Sequence, residues 1–366
     1  MSNMFSRDRF WEKARKSSFL KLFLIPLSVI YGIILIVRQK LYDYQILPSF
    51  TSPVRSICVG NISVGGSGKT PLVMYISEHI ASEKRTGILS RGYKSTLEKK
   101  HFPYLVKGSD PVTRIGDEAK LFSTFLSDEC LMVISPDRKK GLDLLSSEGA
   151  AICIMDDGFQ HRRIKPTISL CVIDVADFDD YEKATFFSVL PYGIFREIPE
   201  NGIRRADRVV FTSKQVISEK EISYAKMLSE KFKISSYSFM EIRPDTVFDA
   251  LTLEKRIFPK ETSFFALSSI AKPDSFVESL HSLGFKISSS CFKNDHHLFT
   301  EREWEQVSLS TKLPILCTTK DWVKLKDFVT REDSLFVLSQ KVYDRSREGE
   351  ELIPWLQKKL GMNRPK

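Results

Sequence analysis

The chain contains no C-x-x-C pair. Its six cysteines (Cys58, Cys130, Cys153, Cys171, Cys291 and Cys317) stand singly, mostly inside or beside apolar, strand-like runs. That placement argues against a zinc ribbon, a dithiol redox centre or a disulfide framework, and fits buried thiols in a reducing compartment. Zinc-finger spacing, an RNP-type aromatic motif and a long basic arm are also missing. Nucleic acid is therefore not an expected partner, although 55 basic residues against 46 acidic give a net charge of +9. Neither a low-complexity tract nor an internal repeat is present. What remains is a globular composition, 42% hydrophobic and 28% charged, over 366 residues. This is enough chain for two domains of ordinary size. The basic excess suits anionic partners such as nucleotides or a phospholipid surface.

One uncharged apolar run stands out, Leu22–Val37. Arg7, Arg9, Lys13, Arg15, Lys16 and Lys21 precede it, and Arg38 and Lys40 close it. As a helix it would reach about 24 Å, short of the roughly 30 Å of bilayer hydrocarbon, and it contains Pro26 and Gly32. No small-x-small site follows, which argues against a cleaved signal peptide. A buried core helix is the plain alternative. Residues 1–45 are expected to form a membrane-associated helical segment, with Phe10, Trp11, Tyr31 and Tyr42 at headgroup level. Sequence leaves open whether it spans the bilayer or dips into it.

The stretch Ser56–Thr70 reads SICVGNISVGGSGKT. A short apolar strand leads into a glycine-dense loop, and a helix-like pattern follows. Backbone N–H groups of such a loop wrap a polyphosphate, the lysine reaches the β/γ-phosphates, and the Thr hydroxyl ligates Mg²⁺. Gly60, Asn61, Val64, Gly65, Gly66, Ser67, Gly68, Lys69 and Thr70 are the expected nucleotide-binding residues. The general phosphate-loop pattern has glycine at the position of Ser63, where this chain does not.

From Val54 onward, short apolar strands alternate with amphipathic helices. The expected fold is α/β, P-loop NTPase-like, a mostly parallel sheet with helices on both faces. Residues 46–235 would form the nucleotide-binding domain and residues 236–366 a smaller α/β domain, joined by a connector near residues 213–250. In such sheets ligands sit beyond the carboxyl ends of the strands. Asp156-Asp157 stands there, directly after the apolar run Ala151–Met155, where an NTPase holds Mg²⁺. Gly116-Asp117-Glu118 opens a helical pattern, so Asp117 is either a helix cap or a working carboxylate. Asp295-His296-His297 lacks partners at zinc-ligand spacing and suits acid–base chemistry better. Arg91, Arg138 and Arg196 follow strands or turns. Each alone reads as a solvated charge, and together they would line a phosphate-rich cleft.

The segments GNISVGGSGKTP (60–71), SRGY (90–93), GDE (116–118), DDGFQHR (156–162), LPYGIFRE (190–197), RADRVV (205–210), DHH (295–297) and TKDWVKL (319–325) occur in this order. In that order and combination the chain resembles the tetraacyldisaccharide 4'-kinase family over nearly its whole length, including the basic, apolar N-terminus. Ala119 stands where that family commonly has proline, and no glycine occurs at Ser268–Ser269. The resemblance implies ATP-dependent phosphorylation of a lipid A precursor disaccharide, at the cytoplasmic face of the bacterial inner membrane. It implies Asp117 as proton acceptor assisted by His296, and Lys69 on the ATP phosphates. Thr70 with Asp156 or Asp157, and Glu197, would arrange Mg²⁺. Arg91, Arg138, Gln160, His161 and Arg196 would be the substrate-binding residues. A membrane-bound P-loop switch is the rival, but the base-reading signature [NT]-K-x-D is missing, since Thr319-Lys320-Asp321 lacks the spacer.

Overall fold

The computed structural model describes residues 18–99, 102–127, 129–346 and 351–362. Residues 1–17 of the expected membrane segment, Phe10 and Trp11 among them, lie outside these. The described part of the segment holds a helix, Ser18–Asp43, that carries Pro26 in its interior.

The strands follow in chain order. β1 (Phe50–Thr51), β2 (Arg55–Gly60), β3 (Thr86–Ser90), the short β4 (Tyr104–Leu105), β5 (Leu131–Ile134) and β6 (Ile152–Asp156) come first. β7 (Ile164–Lys165), β8 (Ile168–Asp174), β9 (Arg208–Ser213) and the long β10 (Tyr237–Asp249) are next. β11 (Lys255–Arg256), β12 (Ser263–Ser268), β13 (Lys286–Phe292), β14 (Ile315–Thr318) and β15 (Leu335–Asp344) complete the set. β1 pairs only with β7. The others form one sheet in the order β13-β12-β14-β15-β10-β9-β8-β2-β6-β3-β5-β4, with β11 on β10. Pairing is parallel except for β10–β15, β4–β5 and β10–β11.

The first half has the expected two-sided burial. Alternate residues of β2 point to opposite cores. Ile57 and Val59 pack with Leu72, Ile76 and Ile80 of the helix Lys69–Ala81. Cys58 faces the other way, with Leu142 and Leu145 of the helix Arg138–Ser147. A strand buried on both faces reads as a continuous apolar run, which is why these strands are visible in the sequence.

Two features depart from the expected division at residue 235. First, the supposed connector contains β10, which pairs in parallel with β9 through Tyr237–Glu241 and antiparallel with β15 along its length. The two halves therefore share one sheet. Second, the C-terminal helix Leu352–Lys359 leaves the second half. Its Leu352, Trp355 and Leu356 join the core of Leu72 and Ile76, so residues 236–366 do not pack as one unit. The apolar face of that helix finds its cover on the helix Lys69–Ala81, where Gln357 Nε2 also donates to Glu83 Oε1 at 2.5 Å.

Candidate active site

β2 delivers the phosphate loop to the carboxyl edge of the sheet. Gly60 is required by close approach, since a Cβ there would lie 2.5 Å from that of Phe159 in the loop after β6. Gly68 caps the following helix at φ +76°, a left-handed conformation that favours glycine. Gly65 and Gly66 face open space, with Val64 exposed beside them. Backbone amides at the mouth of a helix N-terminus, open to solvent, suit an anion. Ser63 has a structural reason not to be glycine. It is buried, its backbone bridges to Phe195, and its hydroxyl donates to Asp177 Oδ2 at 3.1 Å.

A cationic cluster lies beside this loop. Lys69 Nζ donates to Asn61 Oδ1 at 2.9 Å and stands 3.6 Å from Asp157 Oδ1. Arg196 clamps Asp157 with both terminal nitrogens, at 3.1 and 3.2 Å, and reaches Asn61 O at 2.9 Å. The segment carrying Arg196 is tied to the loop by its backbone, Arg196 N to Ile62 O and Val64 N to Ile194 O. Burial would raise the Asp157 carboxyl, but Lys69 and Arg196 outweigh it and hold it down at about 2. Asp156 behaves oppositely. Burial, reinforced by the Glu118 and Asp157 carboxylates, pushes it up to about 7, and its Oδ1 is buried without a partner.

A second cluster joins the two halves of the sheet. Asp117 opens the helix Asp117–Phe125, and Gly116 before it has φ +84°. His296, in the loop after β13, donates from Nδ1 to both Asp117 oxygens at 2.9 and 2.8 Å. Lys320 Nζ lies 3.9 Å from Asp117 Oδ2 and 3.1 Å from Glu118 Oε1. Burial alone would raise the Asp117 carboxyl. Lys320 first, then the hydrogen bond and charge of His296, hold it well below the usual range. A cleft of about 340 Å³ opens here, lined by Lys94, Val112, Gly116, Asp117, His296 and His297 with Leu298.

The structure thus gathers Asn61, Lys69, Asp157, Arg196, Gln160 and Glu197 in one cluster, and Asp117 and His296 in another. Several expected residues serve otherwise than anticipated. Arg138 is buried and donates to Leu89 O and Asp156 O, both at 2.8 Å, so its guanidinium braces strand ends rather than facing a substrate. Both Glu197 oxygens are engaged, by Gln160 Nε2 at 3.0 Å and Arg205 at 2.7 Å, which also commits Gln160 to the loop. Arg91 is exposed and faces Glu98 at 3.4 Å. His161 is partly buried, and burial with the Arg138 and Arg163 cations pushes it down to about 4, leaving a neutral ring at pH 7. Lys320 and Tyr93 stand inside the segments TKDWVKL and SRGY, to which the sequence assigns no role for them, and Lys94 lies outside every such segment. Lys94 Nζ donates to Asp295 O at 3.1 Å, and the Tyr93 ring meets His296 edge-on at 5.6 Å. Single lysines in helix or loop patterns carry no signal of their own.

Among the described residues, no three His, Cys, Asp or Glu side chains converge as a metal cage. The orphaned, buried Asp156 oxygen and the hydroxyl of Thr70 at the helix start are hard oxygen donors. They fit an ion held mainly by phosphate oxygens and water, as Mg²⁺ usually is.

Comparison with known proteins gives a consistent picture. The family model described as tetraacyldisaccharide-1-P 4'-kinase matches residues 20–360. A tetraacyldisaccharide 4'-kinase of Legionella pneumophila (strain Corby) is 31% identical over 325 residues, covering 87% of this chain and 88% of the relative. One from Flavobacterium psychrophilum is 29% identical over 352 residues, covering 90% and 96%. The crystal structure of LpxK from Aquifex aeolicus in complex with ATP is similar with a TM-score of 0.70 at 29% identity. It covers 93% of this chain and 98% of that one.

Proposed function

The chain belongs to the tetraacyldisaccharide-1-P 4'-kinase family, and we propose from that membership and the site that it transfers the γ-phosphoryl group of ATP to the 4'-hydroxyl of tetraacyldisaccharide 1-phosphate. The product is lipid IVA, a step of lipid A biosynthesis. The observation that carries the residue assignment is the pairing of Asp117 with His296 across the two halves, in a cleft that opens near the phosphate-loop half of the sheet.

In this reading the amides of Gly65–Lys69 cradle the polyphosphate and Lys69 neutralises its charge. Thr70 and Asp156 would hold Mg²⁺, which when bound spreads the negative charge of the β- and γ-phosphates. Asp157 and Glu197 order the cations around the loop. The sugar oxygen attacks phosphorus, the bond to ADP breaks, and the hydroxyl proton passes to Asp117 with His296 as its partner. Since phosphoryl transfer asks mainly for positioning and charge neutralisation, these groups suffice.

The N-terminal helix supports membrane association, and with the family membership the reading is a location at the cytoplasmic face of the inner membrane. Leu22–Asp43 is long and apolar enough to cross a bilayer by length and composition. One face, however, is docked on the body. Ser28 Oγ donates to Val189 O at 3.0 Å and accepts from Tyr192 N at 2.9 Å. Tyr31 OH donates to Arg196 O at 3.0 Å, and Arg38 to Gln160 O at 2.7 Å. The other face presents Leu22, Phe23, Leu27, Ile30, Ile33, Ile34 and Val37 to the outside. That arrangement supports a helix lying along an anionic membrane surface with the cleft held near the headgroups.

The test is incubation of the purified protein with Mg-ATP and tetraacyldisaccharide 1-phosphate, followed by mass analysis for a bis-phosphorylated lipid. Product is expected, and Asp117→Ala should lose about 100-fold or more in turnover. No product, where the Aquifex protein works under the same conditions, would refute the activity. Full turnover by Asp117→Ala would refute the proton-acceptor role alone.

A further inference from the structure

His296 sits at φ +60°, in the left-handed region that a non-glycine residue adopts only against strain. Something must hold it there. Its backbone N–H donates to Ser269 O at 3.1 Å, so the loop after β12 is its support. That loop is in turn fixed from the helix Thr319–Leu325. Asp321 Oδ1 accepts from Ser269 N at 2.9 Å and from Ser269 Oγ at 2.5 Å. Lys324 Nζ pairs with the same Asp321 oxygen at 3.0 Å and also donates to Ser269 Oγ. The other Asp321 oxygen accepts from Thr318 Oγ1 at 2.7 Å. Both side chains of the Asp321–Lys324 pair are 0% exposed. Removing two charges from water is costly, and only full hydrogen bonding offsets it. For bulk stability, apolar residues would serve as well. The pair does something apolar residues do not, which is to fix the position and direction of Ser269.

The same helix also reaches the other member of the dyad. Lys320, one residue before Asp321, stands 3.9 Å from Asp117 Oδ2 and 3.1 Å from Glu118. Resting on the Asp117–His296 assignment above, we propose that the helix Thr319–Leu325 is the positioning element of the phosphoryl-accepting site. Asp321 and Lys324 set His296 through Ser269, and Lys320 sets Asp117, so that one rigid turn fixes the distance between the two dyad members. Ser269, Lys320, Asp321 and Lys324 are thus positioning residues for the transfer step. Among the described residues, none of their side-chain contacts reaches the phosphate loop.

The charges around the dyad fix the sign of its pH response. Asp117 is faced by Lys320 and Lys324 from the helix Thr319–Leu325 and by His296 from the loop after β13, with Glu118 on its own helix. His296 is faced further by Asp295, 3.5 Å from Nε2, and Lys94 lines the same cleft. Removing the positive charge of Lys320 makes protonation of Asp117 easier. The acidic limb of activity must then move to higher pH.

The experiment measures kcat, KM for ATP and the pH profile of kcat/KM on the full-length protein. The variants are Ser269→Ala, Lys320→Met and Lys320→Arg, with Asp117→Ala alongside. Ser269→Ala is expected to lower kcat about 10-fold, the size of one lost buried hydrogen bond, with KM for ATP within about two-fold. Lys320→Met should move the acidic limb up by about one pH unit, and Lys320→Arg should restore it toward the wild-type position. Wild-type kcat in Ser269→Ala, or an acidic limb that stays in place in Lys320→Met, overturns the proposal. So does a loss shared equally between kcat and nucleotide affinity. If Asp117→Ala itself keeps turnover, the dyad assignment fails instead, and the two failures are told apart.

Discussion

Asp156 and Asp157 are chain neighbours with opposite surroundings. Sequence alone offers two adjacent carboxylates after a strand and no ground for choosing between them. In the fold Asp156 ends β6 inside the sheet, where burial keeps it from ionising easily. Asp157 turns out at φ +46° into the reach of Lys69 and Arg196. Asp157 is therefore already neutralised by protein cations, whereas Asp156 keeps an oxygen to give. Arg138 shows the reverse of a functional charge. It follows the helix-capping Asp137 and puts its guanidinium on two backbone carbonyls at the ends of β3 and β6. Arg138→Leu removes a charged donor from each, at about 1–3 kcal/mol per bond. The expected outcome in a denaturation experiment is a loss of about 2–6 kcal/mol, with the KM for lipid unchanged in the protein that still folds. A variant of wild-type stability with a weakened lipid KM would return Arg138 to the substrate site.

At the scale of elements, legibility followed environment. The strands β2, β3, β5, β6, β8 and β9 lie between two layers of helices, carry apolar side chains on both faces, and stand out in the sequence. β10 does not. Glu241, Arg243, Pro244 and Asp245 interrupt it, so Tyr237–Asp249 reads as a connector. Its buried Glu241 is tolerated because Arg243 and Arg345 each approach it at 3.2 Å. The dyad is legible as two separate motifs, 179 residues apart, and the helix Thr319–Leu325 as the segment TKDWVKL, but the contacts of its buried Lys–Asp pair are not, since such a pair has no periodic signature. Gly32 in the N-terminal helix was read only as a weakness for spanning. It is a contact point, because a Cβ there would lie 2.7 Å from the Phe186 ring. Gly32→Leu should push the helix off the segment that carries Arg196, breaking the Tyr31–Arg196 contact while leaving the outer apolar stripe intact. Turnover should fall several-fold while vesicle binding persists. Turnover equal to wild type would mean that helix docking does not bear on the site.

The molecule as a whole is an outward-facing apolar helix edge, a phosphate loop and the Asp117–His296 pair held in register by one sheet. The helix Ser18–Asp43 hydrogen-bonds the segment 189–196. That segment bridges the phosphate loop through Ser63 and Phe195, and the loop stands on β2 at the centre of the sheet. The position of that helix is therefore transmitted to the phosphate loop by contacts rather than by a linker. The apolar stripe and the docked face are separable, because they lie on opposite sides of one helix. Leu27→Glu combined with Ile30→Glu and Ile34→Glu places three carboxylates on the stripe and leaves Ser28, Tyr31 and Arg38 in place. Burying such charges in a membrane costs several kcal/mol, and an anionic surface repels them. The triple variant should fail to co-sediment with anionic vesicles and should lose activity on the vesicle-borne lipid, yet bind Mg-ATP within about two-fold of wild type, a change below about 0.5 kcal/mol. Nucleotide affinity falling together with vesicle binding would show that the stripe supports the fold. Retained vesicle binding would place the membrane contact elsewhere on the body.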